Sequence, residues 1–382
     1  MGQVSMWAAG VVGLIFLQCV STFKLVCYFT SWSQYLVSSG RFVPDNIDPN
    51  LCTHIIYAFA NISGNQIVPT EWNDASTYET LNNLKTRNPN LKTLLSVGGY
   101  AMGSEPFRKV TTSPVTRLAF VTSVVQLLQN NNFDGLDLSW HSAEQSDKRR
   151  LAYLVRDLHQ LFARNQEKKR LLLSVAIPAG KEAIDKGYDI KYISQFADFL
   201  NFITFDFHGS WEAYTGHLSP LQRSNADGHS AASSYNVDFA VKYLKSKGAP
   251  AEKIIMGIPT YGRTFTLSSR QTMVGAPASG AGTPGPFTKL AGMLAYYEIC
   301  SFNSGAKKER IMEQAVPYSH KGNQWVGYED TESVQTKVQY MKNNHLGGIM
   351  IWTLDSDDFS GSFCQQGKYP LLSAIKKELD KA

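Results

Sequence analysis

Short apolar runs recur along the chain at 24–30, 53–60, 91–97, 133–140, 171–177, 199–205, 254–259 and 348–354. They are rich in Val, Ile, Leu and Phe and mostly apolar at consecutive positions, the pattern of strands covered on both faces. The segments between them alternate apolar and polar residues with a helical period. The clearest helix opens at Ser113-Pro114, a capping Ser followed by Pro at the first helical position. Leu118, Val121, Val124, Val125 and Leu128 are expected to form its apolar stripe. Further helices are expected near 147–163 and 237–247. Eight strand–helix repeats predict an α/β fold, a closed (β/α)8 TIM barrel. Periodicity alone leaves an open doubly wound sheet as the alternative.

One interval breaks the rhythm. About ninety residues separate the run at 254–259 from the run at 348–354, too many for one crossover helix. The interval holds a Gly- and Pro-rich stretch at 275–286, a short helical pattern around Tyr296-Tyr297 and a strand-like segment at 324–328. It reads as a small α+β insertion domain between strand 7 and its helix. The expected division is 23–262 and 331–382 for the barrel and 263–330 for the insertion.

Residues 1–22 read as a secretory signal, with an apolar core at 6–19 and small residues Val20-Ser21-Thr22 for cleavage. About 14 apolar residues fall short of the roughly 20 that span a bilayer, so an exported, extracellular protein is expected. Export turns attention to the cysteines. Loss of Cys19 with the leader leaves Cys27, Cys52, Cys300 and Cys364, an even set with three possible pairings. Asn61-Ile62-Ser63 is a glycosylation sequon. No Cys or His cluster suggests a metal, and no cofactor is expected. A net charge of +5 without a basic stripe and matching motif gives no nucleic-acid signature.

In a barrel, sites form where strands end and loops begin. Ser31-Trp32, Phe59, Gly98-Gly99-Tyr100, Asp206, Trp211, Arg263 and Trp352 all fall at such ends. The most informative run is Phe133 to His141, Phe-Asp-Gly-Leu-Asp-Leu-Ser-Trp-His. Asp137, Ser139 and His141 are spaced by two, so they share one strand face over about 13 Å. Only the first is a carboxylate.

That run resembles the Asp-Gly-x-Asp-x-Asp-x-Glu signature of glycoside hydrolase family 18, the chitinases. Ser96-Val97-Gly98-Gly99 is similar to the family's strand 3 motif, and Phe205-Asp206 stands where the family has Tyr-Asp. The resemblance extends from about Lys24 to the C-terminus. It implies a substrate-assisted mechanism in which the sugar's acetamido oxygen attacks while a Glu protonates the leaving oxygen. The Glu falls on His141, the Asp that orients the acetamido group on Ser139, and the Tyr on Phe205. A missing general acid alone is worth about 10²- to 10⁴-fold in rate. Hydrolysis is therefore not expected.

The same resemblance assigns carbohydrate contacts to Trp32, Phe59, Glu71, Trp72, Gly98, Gly99, Tyr100, Ala101, His141, Ile203, Thr204, Phe205, Asp206, Trp211, Arg263 and Trp352, with Trp352 as the stacking floor. Tyr100 stands where the family commonly has Trp, and Ala101 offers no side-chain amide. Cystine pairs Cys27–Cys52 and Cys300–Cys364 are implied, each contributing about 3 kcal/mol. Cis peptide bonds are implied after Ala58, Trp140 and Trp352.

Three readings follow. The first is a secreted lectin for chitin oligosaccharides or related N-acetylglucosamine glycans. The second is an extracellular interaction protein that presents the barrel to a cell-surface receptor. The third is a hydrolase with His141 as a substitute acid. Asp137 is expected to be structural, and His54 and His208 to be satisfied polar groups. The basic clusters Lys148-Arg149-Arg150, Lys168-Lys169-Arg170 and Lys307-Lys308 with Arg310 read as solvated faces, with a heparin-like polysaccharide as their alternative partner. A monomer without membrane attachment is expected.

Overall fold

The computed structural model describes residues 23–164, 170–225 and 232–381. The expected leader at 1–22, and Lys168 and Lys169, lie outside them. Eight parallel strands close on themselves: β1 (Lys24–Thr30), β2 (His54–Ser63), β3 (Lys92–Gly98), β4 (Gly135–Ser139), β5 (Leu172–Pro178), β6 (Phe199–Ile203), β7 (Ile254–Pro259) and β8 (Gly348–Trp352). Each pairs with its sequence neighbour, and β8 pairs with β1, which excludes the open sheet. Alternation along each strand splits the apolar residues between two cores. Leu25, Cys27 and Phe29 point outward with the helices, whereas Val26 and Tyr28 point into the barrel with Ile56, Leu94, Phe199 and Met350.

The helix at Pro114–Asn130 opens as expected, with Ser113 Oγ accepting the Thr116 amide at 3.1 Å. Its stripe differs at one position, because Leu118 is 60% exposed. At 100° per residue Leu118 sits about 80–90° from the line of Val121, Val124 and Leu128. Arg117 falls on that line instead, buried and paired with Asp157 of the helix Lys148–Arg164.

The long interval after β7 forms a separate antiparallel sheet. Its strand order is Ala278–Ala281, Tyr261–Leu267, Gln324–Gly327, Val316–Lys321 and Lys307–Ile311, with Met293–Ala295 also on Tyr261–Leu267. The sheet begins one residue past β7 and ends just before the helix Thr331–Asn343, so it stands on the barrel's C-terminal rim. A buried ion pair, Lys337–Glu329, fastens this junction. Lys337 also donates to Ser219 O at 2.6 Å and to Ser219 Oγ at 2.7 Å, tying in the loop after β6.

Both disulfides, Cys27–Cys52 and Cys300–Cys364, are present. Peptide bonds Ala58–Phe59 and Trp352–Thr353 are cis. The expected cis bond after Trp140 is absent. There Trp140 stacks on Phe107 at 4.7 Å, donates to Ser104 Oγ at 2.8 Å and receives the Tyr188 hydroxyl on its carbonyl, all with an ordinary trans bond to His141.

Candidate functional site

Aromatic rings gather where the strands end. Trp352, the last residue of β8, lies 5.0 Å from Tyr28, 5.9 Å from Phe59 and 6.4 Å from Trp32, centroid to centroid. Trp32 and Phe59 are stacked at 25° and 5.9 Å. Together they floor a cleft of about 730 Å³ between barrel and second sheet. Trp32, Tyr100 and Trp211 stand on its rim at 43%, 84% and 61% exposure, free to meet a ligand face.

The Gly98-Gly99 pair shapes one wall. Both residues have positive φ, +116° and +86°. A Cβ on Gly98 would sit 2.3 Å from Ser139 O, and one on Gly99 would sit 2.6 Å from the Phe59 ring. Only glycine allows this approach of β3 to β4 and to the aromatic floor.

Charge is confined to one place. Arg263, on the second sheet, donates from Nε and Nη2 to the two Asp206 oxygens at 2.8 and 2.7 Å, a bidentate pair. The Tyr261 hydroxyl donates to the same carboxylate at 2.7 Å. The Arg263 guanidinium lies 5.4 Å from the Trp211 ring centroid. This pair joins barrel to sheet, and leaves the cleft walls electrically balanced.

Beneath the cleft Asp137 is fully buried and accepts from Tyr28 Oη at 2.8 Å, Ser96 Oγ at 2.7 Å, Ser174 Oγ at 2.7 Å and Asn201 Nδ2 at 3.0 Å. Burial raises its pKa, and the four donors oppose that rise. It fits the structural role expected of it. One pleat further, Ser139 Oγ is 2.6 Å from His141 Nε2. Burial pushes the His141 imidazole down to about 4. At neutral pH the ring therefore lacks the proton an acid would need. Phe205 packs edge-on against Tyr261 at 6.2 Å with no hydroxyl to present.

Of the residues expected at the site, Trp32, Phe59, Gly98, Tyr100, Ala101, Ser139, His141, Ile203, Phe205, Asp206, Trp211, Arg263 and Trp352 line the cleft. Glu71, Trp72, Gly99 and Thr204 do not. Glu71 instead receives the Ser31 and Tyr35 hydroxyls at 3.1 and 2.7 Å, and Trp72 stands in solvent at 86% exposure. Gly99 backs the Phe59 ring, and buried Thr204 donates to Gly257 O at 2.7 Å. Sequence reading missed Tyr28, Ala176, Met293 and Met350 in the lining. Inward alternation along β1, β5 and β8 could have found Tyr28, Ala176 and Met350. Met293 arrives from a three-residue strand of the second sheet and left no such signal.

The remaining expectations sort by partner. Asn61 is exposed, beyond the barrel end of β2. His54 Nδ1 meets Thr53 Oγ1 at 2.8 Å, as a satisfied group would. His208 is only half satisfied: Nδ1 meets Glu212, but buried Nε2 has no partner among the described residues. In the basic clusters Arg310 is engaged by Asp330 and Glu332, Arg170 by Asp198, and Lys307 by Glu309. That pairing reduces the charge they offer a polyanion. No group of three or more metal-ligating side chains occurs among the described residues, and no described helix is long and apolar enough to cross a membrane.

Comparison with known proteins is consistent with this geometry. The family model "Glycosyl hydrolases family 18" matches residues 24–357. Human chitinase-3-like protein 2 is 50% identical, over 99% of this chain and 98% of its own. Mouse chitotriosidase-1 is 47% identical, over 100% of this chain and 83% of its own. The structure of human YKL-39, described as a pseudo-chitinase with retained chitooligosaccharide binding properties, superposes with a TM-score of 0.92 at 49% identity, covering 94% of this chain and 100% of that one. The aromatic cleft, the Gly98-Gly99 wall and the signature strand β4 are thus those of a chain that belongs to glycosyl hydrolase family 18.

Proposed function

We propose that this chain is an exported, non-hydrolytic chitinase-like lectin that holds chito-oligosaccharides or related N-acetylglucosamine glycans in the cleft. One observation carries the reading: the stacking surface of Trp352, Tyr28, Phe59 and Trp32 is complete, while 139, 141 and 205 hold no carboxylate and no phenol. A pyranose packs its C–H face on such rings, and its hydroxyl rim finds Asp206, Arg263 and the backbone at Gly98. Turnover needs more. A donor must protonate the leaving oxygen, and a charge must steady the cyclised acetamido group, a stabilisation worth about 3–4 kcal/mol. His141 is neutral at physiological pH and shares its Nε2 with Ser139, so neither group supplies those functions. The apolar leader sequence and two disulfides support export to an oxidising compartment.

Titration calorimetry with N-acetylglucosamine tetra- to hexasaccharides tests the reading, paired with a reducing-end assay on the same oligomers. Heat of binding without new reducing ends is expected. Absence of heat with every oligomer would sink the lectin reading and leave the barrel as a scaffold for a protein partner.

A further inference from the structure

Trp211 is an exposed ring on the cleft rim, yet it is held from two sides. Buried Gly209 lies against it. A Cβ at 209 would stand 2.2 Å from Trp211 Cζ3, 2.3 Å from Cη2 and 2.8 Å from Cε3. The benzo half of the indole therefore fills the space that a side chain at 209 would take. Gly209 has no positive φ, so its backbone admits any residue, and the ring is what calls for glycine. From the second sheet comes the Arg263 guanidinium, 5.4 Å from the ring centroid and itself fixed by its bidentate pair with Asp206.

Glu212 fastens the turn that brings the ring over Gly209. Its carboxylate accepts from the Gly209 amide at 3.3 Å and meets His208 Nδ1 at 2.9 Å. Its own amide donates to Gly209 O at 3.0 Å. The chain on either side is anchored as well, with the Phe207 amide donating to Leu218 O at 3.0 Å and the Ala278 amide to Ala213 O at 2.8 Å. Neither Gly209 nor Glu212 lines the cleft.

We propose that Gly209 and Glu212 are positioning residues for glycan binding: they seat the Trp211 ring, so that a sugar meets a platform already in place. A mobile side chain loses its freedom when a ligand orders it, whereas a seated one has lost that freedom on folding. The proposal rests on the lectin reading of the cleft and adds residues that act without touching the ligand. A methyl group at 209 would push the ring off its seat and weaken binding about two- to tenfold, the cost of ordering one such side chain.

The test is titration calorimetry of the full chain with N-acetylglucosamine hexasaccharide, for the parent, Gly209→Ala, Trp211→Ala and the double variant. The indole N–H signal of Trp211 is followed by ¹H–¹⁵N NMR without ligand, identified by its loss in Trp211→Ala, and thermal melts check folding. Gly209→Ala is expected to move the indole signal and weaken binding about two- to tenfold, with no further loss when added to Trp211→Ala. Glu212→Ala should act in the same direction, and Glu212→Gln, which keeps an acceptor oxygen, should restore most of the affinity. This second pair carries the comparison if Gly209→Ala does not fold. An unmoved indole signal, parent affinity in folded Gly209→Ala, or an equal loss from Gly209→Ala in the Trp211→Ala background would each overturn the proposal while the lectin reading stands. No heat from the parent chain would overturn both.

Discussion

Two neighbouring positions, one within β4 and one at its end, behave in opposite ways. At Asp137 the chain holds a carboxylate with four side-chain donors around it, none of them exposed. At Ser139 and His141 it holds a hydroxyl and an imidazole bonded to each other at the cleft wall. The lower position is governed by the barrel: four strands aim donors at one point, and an acceptor must stand there. The upper position lines the cleft, and the lectin role proposed for the chain asks for no acid there. The same motif therefore carries two separable features, a buried acceptor at 137 and cleft-lining groups at 139 and 141, and only the first keeps its carboxylate.

The sharpest way to break that comparison is to rebuild the upper position. Ser139→Asp, His141→Glu and Phe205→Tyr together are expected to raise hydrolysis of a fluorogenic N-acetylglucosaminide about 10²- to 10⁴-fold above the parent chain, and His141→Glu alone far less. A triple variant still at background would mean that more than these three side chains separates binding from turnover. The lower position should answer in stability. Asp137→Ala leaves Tyr28, Ser96, Ser174 and Asn201 without their acceptor and should cost about 3–5 kcal/mol, read by denaturant unfolding. Asp137→Asn, which keeps an acceptor oxygen, should cost clearly less.

A smaller effect concerns the floor that both positions serve. Trp352→Ala should weaken tetrasaccharide binding at least about tenfold with little change in unfolding midpoint, since the ring is part-exposed and packs on cleft residues. Equal affinity in parent and variant would move the stacking surface elsewhere. The smallest expected effect is a slope. His141 has a folded pKa of about 4, below its unfolded value, so the unfolded chain binds the extra proton between pH 4 and 6.5. Its contribution to stability is thus present above pH 6.5 and lost as pH falls toward 4. Asp355 and Asp357, raised by burial to about 6 and about 7, work the other way over the same range. Thermal melts of His141→Asn should therefore lose less stability than the parent between pH 6.5 and 4.5.

The barrel was legible because its strands are apolar on both faces, and a run such as 254–259 has no other use for so many branched residues. The second sheet was legible only as an interruption. Strand Ala278–Ala281 is Ala-Ser-Gly-Ala, all small residues, and nothing in it signals β structure until Tyr261–Leu267 lies beside it. Within the cleft, residues at strand ends were readable from position and motif. Glu71 was not, because its carboxylate turns back to Ser31 and Tyr35, a contact set by loop geometry. Arg117 shows the same limit: a charged residue held the buried centre of a helix face because Asp157 came from another helix to meet it.

The Cys300–Cys364 bridge gives the outer part of the molecule an unusual resilience to cutting. A protease that severs the backbone anywhere between those two residues produces fragments that remain one covalent body. When the cut falls between 300 and 352, the amino-terminal piece carries Trp32, Asp206 and Arg263, the carboxy-terminal piece carries Trp352, and the sulfur link keeps both halves of the cleft in one particle. A nicked molecule would run as two bands only after reduction.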